Sequence, residues 1–235
     1  MARIEVKHAV PENIAAQALD WARPFLPPDR GLAGVQRITS MYLDSPELTF
    51  YRWHREREAH RFKLRVRAYG DRPSERVFAE VKEKHGRVRR KHRVALPTVA
   101  LNGLLTDNGS NRICPTESTQ ALWEFIARQR AYTARPRMLV SNLREALREP
   151  RGAGEIAVTV DREIAYQTTD RADVMGDPDK WRTVPLPWRM QATAILELKY
   201  TGHVPPEWMA TLLRQIRPYR VSFSKYAAAI RQDPT

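Results

Sequence analysis

Three consecutive segments between His60 and Leu96 constrain this chain most, because each alternates basic with apolar residues at a period of two. In His60 to Tyr69, Arg61, Lys63, Arg65 and Arg67 fall on one side, and Phe62, Leu64, Val66 and Ala68 on the other. Arg76 to Lys84 repeats the pattern, with Arg76, Glu80, Lys82 and Lys84 opposite Val77, Ala79 and Val81; Phe78 breaks it. Arg87 to Leu96 adds a third strand carrying Arg89, Lys91 and Arg93. This is the signature of β-strands with one buried face, joined by turns at 70–74 and at His85-Gly86.

One charged strand face is ordinarily just solvated. Several adjacent faces of the same sign are different. Two cations about 6 Å apart repel by roughly 3 kcal/mol at an effective dielectric of 20, so a row of them accumulates a cost that a bound polyanion offsets. The whole chain leans the same way, with 40 Lys and Arg against 27 Asp and Glu, a net charge of +13. The partner is therefore expected to be anionic. Helices are expected to cover the apolar faces, leaving the charged faces to line a barrel interior. Nucleic acid is disfavoured, since the cations alternate with acidic residues and no aromatic stacking motif accompanies them. Glu5, Glu80 and Glu197 lie within the basic strands, as carboxylates that could hold a hard divalent cation would.

Elsewhere the chain reads as an α+β protein of about eight strands and four or five helices, expected to form a single domain over 1–235. Arg3 to His8, Gln36 to Leu43, Arg137 to Leu147, Glu155 to Tyr166 and Ala194 to Tyr200 read as strands. Helices are expected after Pro11, after the turn at Asp44-Ser45-Pro46-Glu47, over Pro97 to Leu105, from Ser118 to Tyr132, from Pro205 to Ile216 and from Ser222 to Ile230. Asp107 to Glu117 and Asp170 to Trp188 read as loops, and Pro150-Arg151-Gly152 as a turn. The single cysteine, Cys114, excludes an internal disulfide. No apolar run approaches the roughly 20 residues that span a bilayer, and no signal core opens the chain, so a cytoplasmic location is expected. The histidines lack zinc-site spacing, and no Gly-x-x-x-x-Gly-Lys-Ser/Thr loop is present.

Seven short motifs occur in order along nearly the whole chain: Arg3-Ile-Glu-Val-Lys7, Tyr42-Leu-Asp-Ser45, Lys63-Leu-Arg-Val-Arg67, Glu80-Val-Lys82, Lys91-His-Arg93, Glu197-Leu-Lys199 and Ser222-Phe-Ser-Lys-Tyr226. Together they resemble the VTC-type polyphosphate polymerase domain of the triphosphate tunnel metalloenzymes, the superfamily that includes the CYTH proteins. The resemblance implies an eight-stranded antiparallel β-barrel with flanking helices and a basic lumen. It also implies a divalent metal, Mn2+ or Mg2+, and transfer of the terminal phosphoryl group of ATP onto polyphosphate. By motif, Lys7, Arg65, Arg67, Lys82, Lys91, Arg144, Ser224 and Lys225 correspond to phosphate contacts, with Lys63, Lys84, Arg93 and Lys199 in support. Glu197 corresponds to the metal ligand, ahead of Glu5 and Glu80. Two positions depart from the pattern: Asn142 stands where the family has Tyr, and Ala157 where it has Arg. Three functions stay open on the tunnel scaffold: polymerase, hydrolase of tripolyphosphate or nucleoside triphosphates, and polyphosphate binding without turnover. Whether a membrane protein is a partner is left open.

Overall fold

In the computed structural model, residues 3–29, 34–72, 74–86, 88–105, 119–149, 156–187 and 191–233 are described. Cys114, the 107–117 loop and the 150–152 turn lie outside them. The strands are β1 (Arg3–Val10), β2 (Val35–Asp44), β3 (His60–Tyr69), β4 (Arg76–His85), β5 (Val88–Pro97), β6 (Arg135–Arg148), β7 (Ala157–Thr168), β8 (Arg182–Thr183), β9 (Ala194–Thr201) and β10 (Arg220–Val221). The helices are α1 (Glu12–Ala22), α2 (Thr49–Arg55), α3 (Leu101–Leu105), α4 (Thr119–Ala131), α5 (Glu207–Gln215) and α6 (Lys225–Ile230). No helix among the described residues is long and apolar enough to cross a membrane.

The chain divides into two compact units, and β2, β6 and β7 each contribute residues to both. Residues 38–141, 165–182 and 225–235 form one of them. Here β2, β3, β4 and β5 pair in sequence order, every pair antiparallel. Alternation sends Leu64, Val66, Val77, Ala79, Val81, Val94 and Leu96 to one face, where each is at most 2% exposed. Phe50 of α2, Leu101 and Leu104 of α3, and Leu122, Phe125 and Ile126 of α4 close over that face. Fully burying a side chain of this size contributes roughly 1.5–3 kcal/mol, so the apolar period alone fixes which face turns inward. The turn after β4 uses Gly86 at φ +56°, a left-handed conformation that glycine adopts without strain.

The other unit holds residues 1–37, 142–164 and 183–224. Its strand order is β10, β1, β9, β7, with β1 antiparallel to both β10 and β9, and β9 antiparallel to β7. Val10, Val158, Val160, Leu196 and Leu198 pack under α1 and α5 through Ala15, Leu19, Met209 and Leu212.

The α+β antiparallel architecture agrees with the expectation; the strand count and closure do not. Among the described residues there are ten strands rather than eight, and the two beyond the count, β8 and β10, have two residues each. Among the described residues the hydrogen-bonded strand order ends at β10 and at β5 and does not close, where a closed barrel was expected. The end strand β5 is mostly exposed and carries Arg89, Arg90, Lys91 and Arg93, the kind of charge that deters further pairing at a sheet edge. The last helix starts at Lys225 rather than Ser222, and the 97–105 segment begins with a 3-10 turn at Thr98–Ala100 before α3.

Candidate functional site

The polar face of β2–β5 is built in cross-strand rungs. Tyr42, Arg65, Glu80 and Arg93 stand opposite one another in one rung. Lys63, Lys82 and Lys91 make the next, and Arg61, Lys84 and Arg89 the one after. On the other side of the first rung, Ser40, Arg67, Phe78 and Ala95 are aligned. The alternation seen in the sequence thus produces adjacent rows of like charge on one surface. Their crowding disfavours the charged forms. Arg61, and after it burial and Arg89, lowers the Lys84 pKa; burial and then Arg89 lower that of Arg61.

Glu80 is the counter-charge within this array and is fully buried. Its Oε2 accepts from Arg65 Nε at 2.6 Å and lies 2.5 Å from Arg65 Nη2; its Oε1 lies 2.8 Å from Lys91 Nζ and 3.6 Å from Arg93 Nε. Burial disfavours its charge, but Arg65, Arg67 and Lys91 outweigh burial and hold the carboxyl below its ordinary range. Tyr42 Oη accepts from Arg65 Nη1 at 3.4 Å, and Ser40 Oγ accepts from Arg67 Nε at 3.2 Å. Burial, reinforced by Arg65 and Arg67 against the pull of Glu80, brings the Lys91 ammonium down to about 8. One carboxylate is therefore set among several cations, leaving the face positive overall.

A second charged cluster lies within the other unit. Glu197 on β9 is 5% exposed, and its carboxylate lies 3.1 Å from Lys199 Nζ and 4.0 Å from Lys7 Nζ. Lys7 also lies 3.6 Å from Glu5 and donates to the Phe223 carbonyl at 3.2 Å. Burial works against the Glu197 charge, but Lys199, Lys7, a hydrogen bond with Glu5 and Arg144 keep its pKa well below normal. Beside them Arg144 makes a two-pronged contact with Asp161, Nε to Oδ1 at 2.6 Å and Nη2 to Oδ2 at 2.7 Å. The family's departures can now be placed. Asn142 donates to the same Asp161 Oδ1 at 2.9 Å, and buried Ala157 sits directly opposite Lys199.

The residues fit a small divalent cation. Mg2+ and Mn2+ are commonly held by one or two carboxylates, with phosphate oxygens and water completing the shell. Glu197 and Glu5 are within hydrogen-bonding reach of each other and supply such a pair. Thr159, directly opposite Glu197, has a buried hydroxyl oxygen with no partner in the structure, a spare polar atom beside the carboxylates. Among the described residues no group of three or more His, Cys, Asp or Glu side chains is gathered for a metal, so the remaining ligands would come from substrate or water. Glu80, the third carboxylate considered, has its charge matched by three basic side chains.

The structure thus gathers Arg65, Arg67, Lys63, Lys82, Lys84, Lys91 and Arg93 on one face, and Lys7, Glu5, Glu197, Lys199 and Arg144 in one cluster. Ser224 ends the segment before α6, and Lys225 is that helix's first residue. Sequence reasoning missed the groups that hold these cations in place: Ser40, Tyr42 and Asp161, and the pair Asp44 and Tyr226. Tyr42 and Asp44 share one quoted motif and Tyr226 closes another, so motif membership was the available signal.

Comparison with known proteins places this geometry. No curated protein matches the sequence. A candidate adenylate cyclase of Bacillus halodurans superposes with a TM-score of 0.50 at 10% identity, covering 100% of both chains, which establishes a shared fold. The PH1819 protein of Pyrococcus horikoshii gives a TM-score of 0.47 at 10% identity, over 98% of this chain and 99% of that one. The Mimivirus capping enzyme triphosphatase gives 0.36 at 8% identity, over 92% and 88%. The model of the VTC domain matches residues 2–232. The chain belongs to the VTC domain family.

Proposed function

We propose that this protein transfers the γ-phosphoryl group of ATP to the end of a polyphosphate chain. The observation that carries this reading is the set of successive cationic rungs on β3, β4 and β5, with one buried carboxylate among them. Membership of the VTC family supports it. A row of rungs about 6.6 Å apart suits an extended, regularly charged anion better than a compact one. In the transfer, a terminal oxygen of the acceptor forms a bond to the γ-phosphorus. The bridging oxygen bond between β and γ breaks, and its electron pair leaves with ADP. Such a reaction passes through a loose transition state and needs positioning and charge neutralisation more than a covalent nucleophile. Arg65, Arg67, Lys82 and Lys91 bind and orient phosphates on their face; Lys63, Lys84 and Arg93 extend it. Lys7, Lys199 and Arg144 do the same beside Glu197, and Lys225 and Ser224 complete the phosphate contacts. Glu197, with Glu5, would hold Mn2+ or Mg2+, which when bound neutralises phosphate oxygens. ATP and inorganic polyphosphate or triphosphate are thus the proposed partners.

The test is incubation with ATP and Mn2+, followed by gel analysis for polyphosphate. Ladder growth that Glu197→Gln abolishes is expected. Orthophosphate release without chain growth selects the hydrolase reading, and tight polyphosphate binding without turnover under any divalent metal selects a binding protein.

A further inference from the structure

We infer that the charged face of β3–β5 ends in a nucleobase platform formed by Phe78, Arg93 and Tyr69, which selects a nucleoside triphosphate over a bare phosphate chain. This rests on reading the adjoining rungs as a phosphate site.

Phe78 is the residue that interrupts the charged alternation of β4. It stands two positions before Glu80, hence on the same face, opposite Arg67 on one side and Ala95 on the other. The Arg93 guanidinium carbon lies 3.8 Å from the centre of its ring and 5.5 Å from that of Tyr69. The two rings meet edge to face, with centres 5.5 Å apart and planes at 82°. Arg93 Nη2 donates to Tyr69 Oη at 3.2 Å, while its Nε lies 3.6 Å from Glu80. A ring, a hydroxyl and a carboxylate therefore fix one guanidinium, and 36% of the Arg93 side chain stays exposed. Guanidinium planes and aromatic rings are the surfaces on which proteins stack bases.

Position along the strands strengthens the assignment. The aromatic pair stands at one end of the array. From there the rungs run through Arg65–Glu80–Arg93, Lys63–Lys82–Lys91 and Arg61–Lys84–Arg89. Successive rungs are about 6.6 Å apart, so the cations extend about 13 Å from the first rung. A platform followed by that length of positive charge matches the order of base, sugar and three phosphates in a nucleotide. An Arg–Phe contact that only packed the sheet would affect every anion equally.

The experiment is calorimetric titration of the full chain with ATP and, separately, with tripolyphosphate, both in chelator. Phe78→Leu and Tyr69→Leu should each raise the Kd for ATP about fivefold or more, the value of one lost base stack. The Kd for tripolyphosphate should stay within about twofold, which also reports that each variant is folded. Phe78→Tyr should restore ATP binding. Equal shifts for both ligands, or no shift for ATP, overturn the platform and leave the phosphate site standing. Failure of the unaltered protein to bind tripolyphosphate overturns the phosphate site itself, and the platform with it.

Discussion

Tyr226 on α6 donates its hydroxyl to Asp44 Oδ2 at 2.5 Å, across 182 residues of sequence. The same carboxylate accepts from the backbone N–H groups of Ser45, Phe50 and Tyr51 at 2.8, 2.8 and 2.9 Å. Asp44 thereby ties the first turn of α2 and the last helix to the end of β2. The Tyr226 ring stacks on Tyr42 at 4.8 Å, and Tyr42 in turn receives Arg65. Burial, followed by the nearby Asp44, raises the Tyr226 pKa, so the phenol stays a donor at any ordinary pH.

Tyr226→Phe leaves a buried carboxylate short of one donor while preserving the ring. Losing one such bond to a buried group should cost about 1–3 kcal/mol. Urea unfolding should show that loss as a lower midpoint with an unchanged slope. An unchanged midpoint would show that the hydrogen bond carries no net stability.

Glu80→Gln removes the buried charge facing Arg65, Lys91 and Arg93. Breaking a buried ion cluster on one side typically costs 3–5 kcal/mol, because the cations are left uncompensated. The added anion should then do what Glu80 did. Tripolyphosphate should raise the Tm of the variant by more than it raises that of the unaltered protein. Equal Tm increments would mean that the ligand does not reach these cations.

The period of two made β3, β4 and β5 legible, because a one-residue slip would have turned Leu64, Val66 and Val81 out of the core. It also placed Arg65, Glu80 and Lys91 correctly on one face. What it could not give was pairing across distance. Nothing local in Asp44 announces that its partner is Tyr226, and Asp161 carries no sign that Arg144 and Asn142 converge on it. Closure was misread for a similar reason, since strand number is countable but the residues bordering β5 depend on tertiary contacts. Phe78 registered only as an exception to a pattern, although its environment makes sense once Arg93 lies over its ring.

His8 on β1 is 1% exposed, and its Nδ1 has no partner in the structure. Burial, with Arg220 nearby, lowers its pKa from 6.5 to about 4. The unfolded chain therefore takes up a proton that the fold excludes, and stability is retained above pH 6.5 and lost as the pH falls toward 4. The shift corresponds to about 3 kcal/mol. Glu80, whose pKa is depressed, adds a separate loss that begins only below about pH 4.5, the usual range of a glutamate. Denaturant unfolding across pH 7 to 2 should separate the two windows: His8→Gln should flatten the upper one and leave the lower one. A His8→Gln profile identical in shape to that of the unaltered protein would refute the assignment.

Lys91 supplies a pH dependence of binding rather than of stability, since over a third of its side chain is exposed. Its pKa near 8 means that the ammonium is largely charged at pH 7 and largely neutral at pH 9. If ATP is held through that charge, affinity falls as the pH rises, by about tenfold over those two pH units. The terminal phosphate of ATP is already ionised through most of that range, so the ligand contributes little to the slope. Lys91→Arg keeps the charge at both ends of the range, and should bind with a flatter profile. Lys84, pressed by Arg61 and Arg89, shares the direction of the shift but stays unaltered in both proteins, so the difference between the profiles isolates Lys91. Fluorescence titration of ATP in chelator at pH 7, 8 and 9 reads this directly, and parallel profiles for the two proteins would remove Lys91 from the phosphate contacts.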